Sequence, residues 1–296
     1  MGVRWKDLRR SSNVRDVRGA GGGGRVPLRI GRGGGIGGGL GLLVILGLLF
    51  VLGGPEAVLQ VFSGGGGAPT SEQGRPLAAN DEVSDFVARV LGSTEDVWSS
   101  LFAQSGQQYR APELALFAGA VQSACGFASA ASGPFYCPGD QRVYLDTAFF
   151  DDLARMGGPG DFAAAYVIGH EIGHHVQTLW GISEKVQALK QQAMRSGDQP
   201  RANAYQVRME LQADCLAGVW ASLNDQVKSR LQPGDVEAGL NAAAQIGDDT
   251  LQRRTQGQVV PESFTHGSAQ QRVRWFKKGL ESGRMQSCDT FDGKEL

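Results

Sequence analysis

The sequence is short of the residues that most often bind metals or cross-link a chain, because its 296 residues include only four histidines and four cysteines. No two cysteines have the C-x-x-C spacing, which argues against a zinc site built from thiolates. The chain as a whole has no excess of basic residues, since its formal net charge is −1. Residues 56–296 carry 20 basic and 28 acidic side chains. An acidic main region argues against nucleic acid as a partner.

Charged residues are absent from positions 33–55, which follow a basic start rich in glycine. Residues 1–55 carry nine Lys/Arg and two acidic side chains. The apolar stretch at 36–54 is long enough to cross a hydrocarbon core of about 30 Å as a helix. The pattern predicts a basic cytoplasmic tail over 1–35, a transmembrane helix over 36–54, a flexible linker over 55–80 and a folded domain over 81–296.

A buried core helix and a cleaved signal peptide are the two alternatives to this membrane anchor. A core helix rarely lies between two glycine-rich stretches, and a signal peptide would need a shorter basic start and a nearby A-x-A site. Because basic flanks stay in the cytoplasm, the sequence predicts a single-pass protein of the inner or plasma membrane. Its N-terminus would be cytoplasmic and its main domain periplasmic or extracellular.

All four cysteines follow the predicted span, and an exported domain with an even number of cysteines permits two disulfides in three connectivities. Cys125 and Cys137 flank a short stretch that can fold back on itself, so we expect them to pair. Cys215 and Cys288 would form the second bond, and four free thiols are the alternative.

The main region is predicted to be α+β, mostly helical with a small sheet. Helical periodicity covers 81–91, 93–102 after a break at Gly92, 161–180, 201–223, 236–246 and 269–281. Asp161 is expected to cap the first turn of its helix, and Ser268 with Gln271 has the spacing of a capping box. The best strand candidates are 114–121 and 142–145.

Three of the four histidines lie in one hexapeptide, which runs from His170 to His175 and contains an HExxH motif. On a helix, His170 and His174 share a face and can bind one zinc ion, while Glu171 beside them can take a proton from metal-bound water. Ordinary helix histidines are the alternative, but this run is largely uncharged and would bury them at a high cost. His175 points about 100° away, so we expect it near the site or on the surface.

A third zinc ligand is expected from a later helix, because no H-x-x-G-x-x-H extension follows. Glu210 and Asp214 share a helical face, so Glu210 could bind the zinc while Asp214 accepts a hydrogen bond from a ligating histidine. The alternative is an exposed pair of carboxylates. His266 is the candidate donor to the oxyanion of the substrate, with Tyr144 and Tyr166 as rivals.

The stretches HEIGHHVQ, MELQADCLAGVWA, GPFYCPGDQRVYLD and SFTHGSAQQRVRWF together resemble the bacterial "putative neutral zinc metallopeptidase" family, whose members are similar in having one membrane span. The resemblance implies one zinc ion bound by His170, His174 and Glu210, with Glu171 as the acid and base. It implies a reaction class and no particular substrate. The glycine- and arginine-rich start is not accounted for by the resemblance.

Together these features predict a membrane-anchored zinc-dependent peptidase with a zincin-like domain, acting on a peptide or protein substrate. The strand at 142–145 could be an edge strand that aligns an extended substrate. A membrane-tethered binding or scaffold module with a structural zinc is the alternative, and Glu171 argues against it, since a structural site has no use for that carboxylate. A secreted soluble peptidase would differ only in location.

Overall fold

The computed structural model describes residues 4–18, 81–129, 133–228 and 231–292. The predicted transmembrane helix at 36–54 and the linker at 55–80 lie outside these ranges. None of the helices within them is sufficiently long and apolar to span a bilayer.

Helices make up most of the described chain, as the sequence predicts. We number them α1 (Glu82–Gln104), α2 (Phe149–Arg155), α3 (Asp161–Leu179), α4 (Ile182–Arg195), α5 (Gln199–Lys228), α6 (Asp235–Gln245), α7 (Asp248–Thr255) and α8 (Ala269–Ser282). Short 3-10 turns lie at Pro261–Ser263 and Met285–Cys288. The α+β prediction is therefore confirmed at the level of fold class.

The main sheet has four strands in the order β1, β2, β6, β5, and a separate hairpin is formed by β3 and β4. The strands are β1 (Val14–Asp16), β2 (Glu113–Phe117), β3 (Ala120–Ser123), β4 (Gly126–Ser129), β5 (Phe135–Cys137) and β6 (Arg142–Asp146). The strands β1, β2 and β6 are parallel, whereas β5 runs antiparallel to β6. The predicted strand at 114–121 is thus two strands, β2 and the start of β3.

The prediction that 142–145 is an edge strand is wrong. β6 lies inside the sheet, because the chain before the turn at Pro138 and Gly139 folds back and pairs β5 against it. In the described part of the sheet the edges are β1 and β5.

The helices α3 and α5 pack against each other at the centre of the core, and small residues permit their close approach. A Cβ atom on Gly173 would lie 2.9 Å from the backbone oxygen of Ala213, and one on Gly169 would lie 2.8 Å from the ring of Trp220. Real Cβ atoms do not approach other atoms so closely, so glycine at both positions allows the two backbones to meet. This contact brings His170 and His174 toward Glu210 and Asp214.

Two local predictions about helix ends and breaks are wrong, and one is confirmed. α1 continues through Gly92 without a break. The glycine serves another purpose there, because it leaves room for the backbone of Arg9 and Ser11, which packs against the helix. Asp161 does not cap α3, because it is the first residue of the helix and Gly160 occupies the N-cap position; its carboxylate accepts a hydrogen bond from Trp5. The capping box of Ser268 and Gln271 is present at the start of α8.

Residues 4–18, which the sequence assigns to a separate tail, belong to the same compact unit as the main region. Their strand β1 pairs with β2, so the folded unit extends beyond the predicted boundary at residue 81.

The two predicted disulfides are present, Cys125–Cys137 and Cys215–Cys288. The first joins β5 to the turn of the β3–β4 hairpin, and the second joins α5 to the last 3-10 turn. Cys215 follows Asp214 directly, so the second bond fixes α5 beside the candidate site.

Candidate metal centre

Three side chains converge between α3 and α5. The Nε2 atoms of His170 and His174 lie 3.2 Å apart, and they lie 3.2 Å and 3.4 Å respectively from Oε2 of Glu210. All three residues could offer one ligand atom each to a metal ion. His170 and Glu210 are buried and His174 is partly buried, so a bound ion would be well shielded from solvent.

The spacing of these atoms fits a tetrahedral zinc ion. Zinc holds nitrogen and oxygen ligands at about 2.0–2.2 Å, which separates two ligands of a tetrahedron by about 3.3–3.5 Å. The outer Nδ1 atom of each ring is engaged elsewhere, so in a neutral ring the Nε2 atom would turn its lone pair toward the carboxylate of Glu210. Three acceptors that converge in this way require a proton or a cation between them.

The outer nitrogen of His170 is held by a buried ionic cluster. Nδ1 of His170 lies 2.7 Å from Oδ1 of Asp214, which also accepts a 2.5 Å hydrogen bond from Tyr166. Arg272 donates to both carboxylate oxygens of Asp214 at 2.9 Å. Burial opposes ionisation of Asp214, but the charges of Arg272 and His170 prevail and lower its pKa to about 2.

A neutral network holds the outer nitrogen of His174. Nδ1 of His174 lies 2.9 Å from Oε1 of Gln177, and Nε2 of Gln177 donates to the Met209 carbonyl at 2.8 Å and to Gln212 at 3.0 Å. Since both of those partners are acceptors, the amide orientation is fixed and its oxygen must accept from His174. Nδ1 of His174 therefore carries a proton, which leaves Nε2 as the atom that can bind a metal ion when the ring is neutral.

The Glu171 carboxylate lies beside the ligand triangle, which is formed by the converging side chains of His170, His174 and Glu210. It accepts no hydrogen bond from the part of the chain that the structure describes. Its side chain lines the same cleft as His170 and His174. Burial raises the pKa of Glu171, and the charges of His170 and His174 oppose this rise only in part. A shielded carboxylate with a raised pKa and free oxygen atoms is suited to accept and release a proton.

His266 lies on the wall of this cleft, on the loop between α7 and α8. Its Nδ1 atom lies 3.3 Å from Oδ1 of Asp248. The other oxygen of Asp248 accepts backbone N–H groups from Thr265, His266 and Gly267 at 2.7, 2.6 and 3.0 Å. One carboxylate therefore fixes both the loop and the ring, and leaves Nε2 of His266 free of the contacts with Asp248.

The rival donors and His175 have structural roles. The hydroxyl of Tyr166 is engaged with Asp214 and Arg272, and that of Tyr144 donates to Asp140 outside the cleft. The expectation that His175 lies on the surface is wrong, whereas its contact with Tyr136 places it behind the wall of the cleft. The ring is fully buried between the Arg110 carbonyl at 2.6 Å and the Tyr136 hydroxyl at 3.1 Å, and burial lowers its pKa to about 4.

The cleft that contains these groups has a volume of about 1120 Å³. Its apolar wall is formed by side chains from β5, α2, α3 and α7, namely Phe135, Tyr136, Phe149, Met156, Val167 and Leu251. A cavity of this size with an apolar wall and a few polar groups has the form of a ligand-binding site.

Three polar residues of the site were not singled out from the sequence, Gln177, Asp248 and Arg272. Gln177 and Arg272 stand within motifs that drew attention for their neighbours, and Asp248 opens a short helix. Helical spacing places Gln177 one turn after His174, which was the available indication. Arg272 and Asp248 reach the site through tertiary packing alone.

The model of the family described as "Putative neutral zinc metallopeptidase" matches residues 3–291. "Uncharacterized protein YpfJ" of Escherichia coli K12 is 44% identical over 296 residues, covering 99% of this chain and 100% of the relative. "Uncharacterized protein Rv2575" of Mycobacterium tuberculosis is 42% identical over 229 residues, 74% of each chain. No solved structure gives a significant match.

Proposed function

Because the chain belongs to the putative neutral zinc metallopeptidase family, we propose that it is a zinc-dependent peptidase with one zinc ion held by His170, His174 and Glu210. The observation that carries the proposal is the ligand triangle with sides of 3.2 to 3.4 Å, next to a Glu171 carboxylate that is free to accept a proton. Two histidines and a glutamate with an open fourth position are typical of hydrolytic rather than structural zinc.

The residues of the site divide the chemistry of peptide hydrolysis among them. Bound zinc supplies a Lewis acid that polarises a carbonyl and lowers the pKa of water. Glu171 takes the proton of the attacking water and passes it to the nitrogen of the leaving amine as the C–N bond breaks. His266 donates a hydrogen bond from Nε2 to the oxygen of the attacked carbonyl, where negative charge develops.

An extended substrate would pair with β5, the edge strand that borders the cleft. Phe135 and Tyr136 of this strand line the cleft wall, and β6 occupies only the other side of β5. Main-chain hydrogen bonds to an exposed strand edge bind a peptide with little dependence on its sequence. A mostly helical domain whose sheet edge lies beside a HExxH helix supports assignment to a zincin-like fold.

The proposal is tested with the purified full chain by Glu171→Gln. Zinc content should stay near the parent value, while turnover of a broad peptide library should fall by about two to four orders of magnitude, because the general base is lost. Chelation should abolish parent activity, and added zinc should restore it. Glu281→Gln, on the exposed face of α8, is the matched control and should keep both zinc and activity.

The same experiment decides between the peptidase and a binding module with a structural zinc. A structural site should hold zinc in both variants and show no chelator-sensitive cleavage in the parent. Full activity of Glu171→Gln in an active preparation would overturn the assigned role of Glu171.

A further inference from the structure

The N-terminal segment, residues 4–18, is built into the core of the domain. Trp5, Leu8, Val14 and Val17 are each less than a tenth exposed, and Trp5 stacks edge-on against Phe86 of α1. Its strand β1 extends the main sheet by pairing in parallel with β2. Four buried apolar side chains and a strand register are the contacts of an integral element rather than of a loosely attached tail.

A buried carboxylate on α1 depends on this segment for its hydrogen bonds. Glu95 is 6% exposed, and it accepts from Arg9 at 2.7 Å, Ser11 at 2.6 Å and Asn13 at 2.8 Å. Burying a carboxylate without such partners costs much free energy. The buried position of Glu95 is therefore stable only when the segment is docked.

Gly92 of α1 also leaves room for the N-terminal segment to approach the helix closely. A Cβ atom there would lie 2.2 Å from the backbone oxygen of Arg9 and 3.1 Å from the backbone nitrogen of Ser11. Glycine disfavours the interior of a helix by about 1 kcal/mol relative to alanine. Its presence is explained by the close approach of the segment.

The basic charge of the segment is matched by acidic residues of the main region. Five of the nine basic residues before position 56 form ion pairs there: Lys6 with Glu82, Arg9 with Glu95 and Asp96, Arg10 with Asp85, Arg15 with Glu113, and Arg18 with Asp81. Docking therefore accounts for charge that the sequence analysis interpreted as retention in the cytoplasm.

The segment also contacts the helix that carries the candidate metal centre. Nε1 of Trp5 donates to the carboxylate of Asp161 at 2.9 Å, at the first residue of α3. The segment, the sheet and the helix bearing His170 and His174 are thus packed as one unit.

We propose that residues 4–18 and the domain at 81–292 lie on the same side of the membrane. A single crossing would place β1 and β2 in different compartments, and their pairing within one chain would be impossible. The proposal departs from the predicted topology, in which the N-terminus is cytoplasmic and the domain is exported. Whether residues 36–54 enter a membrane stays a prediction.

Labelling of engineered thiols tests the proposal in the full chain. Ser12→Cys marks the segment and Ser99→Cys marks α1, both at exposed positions. The native cysteines are paired in disulfides, so a membrane-impermeant maleimide reports only the new thiol. In spheroplasts the two variants should behave alike, both reacting before lysis or both only after it. Reaction of one before lysis and of the other only after lysis would overturn the proposal.

Gly92→Ala tests whether the segment occupies its groove in solution. A free helix surface would be stabilised by alanine, which raises the melting temperature. With the segment docked, the added methyl group collides with the backbone of Arg9, and we expect the melting temperature to fall by several degrees. Ser100→Ala, on the exposed face of the same helix, is the matched control and should not lower it. A rise with Gly92→Ala would overturn the docking on which the proposal rests.

Discussion

The two histidines of the candidate metal centre have the same position on successive turns of α3, yet they are supported by different chemistry. His170 is held by a buried cluster of charges, in which Asp214 is fixed by Arg272 and Tyr166. His174 is held by the neutral amide of Gln177. A carboxylate increases the basicity of the histidine it contacts, whereas an amide mainly fixes the ring and its tautomer. The comparison indicates that His170 is the more strongly supported ligand.

The largest expected effect comes from removing a zinc ligand, and it should be the same for both histidines. His170→Ala, His174→Ala and Glu210→Ala each remove one of three ligands, so each variant should lose stoichiometric zinc and activity together. Metal analysis after dialysis, with Glu171→Gln as a metal-retaining control, measures this loss. If Glu210→Ala binds zinc as tightly as the parent, the third ligand is another carboxylate, with Asp214 the first to examine.

The next largest effect is expected on the His170 side. Asp214→Asn should weaken zinc binding by about 10–100-fold, because His170 loses its anionic partner. It should also destabilise the fold by about 3–5 kcal/mol, since the Arg272 cation stays buried without its counter-charge. Chelator competition and chemical denaturation measure the two effects.

A second substitution separates these two effects of Asp214. Asp214→Asn combined with Arg272→Met removes the unpaired cation and should recover part of the lost stability. The affinity for zinc should not recover, because His170 still lacks its carboxylate. Recovery of both quantities would show that Asp214 acts through the fold alone.

The His174 side should respond less. Gln177→Met keeps the volume of the side chain and removes its hydrogen bonds, leaving the Met209 carbonyl without this donor, at a cost of about 1–3 kcal/mol. We expect zinc affinity to fall by no more than about 10-fold, since no charge is lost. A loss larger than that of Asp214→Asn, measured by the same chelator competition, would contradict the ranking of the two supports.

Helical periodicity explains why the ligands could be predicted while most of their supports could not. His170 and His174, like Glu210 and Asp214, are four residues apart, and this spacing places each pair on one helical face regardless of the rest of the fold. Arg272 lies 58 residues after Asp214, and no local pattern connects them. Tertiary packing decides such contacts.

The docking of residues 4–18 could not be predicted from the sequence for a related reason. The arginines of this segment have the pattern of a cytoplasmic flank, and Gly92 has the pattern of a helix break. In the structure both features belong to one docking contact, in which the segment packs against α1 although the two are far apart in the sequence. The composition of a segment shows its basic charge and its glycine content. It does not show which acidic residues of the folded protein will pair with that charge.

The smallest expected effect on the metal concerns a third histidine, His266, which is supported by a carboxylate like His170 but lies half exposed at the cleft wall. Asp248→Asn should leave zinc affinity unchanged, because neither residue is a ligand. It should slow turnover by about 10-fold if His266 stabilises the oxyanion, since the carboxamide keeps one acceptor oxygen and cannot hold both the ring and the loop. Glu281→Gln, on the exposed face of α8, is the control for turnover. Steady-state kinetics at saturating zinc measure this effect.

The pH dependence of stability gives Asp248 a second, independent readout. Burial raises the pKa of Asp248, but the hydrogen bonds from His266 and from the backbone of Thr265 lower it by a larger amount. The net shift is therefore downward from 3.8. A carboxylate with a lowered pKa stabilises the fold above its unfolded pKa and loses this contribution as the pH falls through the folded value. The melting temperature of the parent should therefore exceed that of Asp248→Asn near pH 6, and the difference should shrink toward pH 3. A constant difference over this range would show that the ionised carboxylate does not hold the His266 loop.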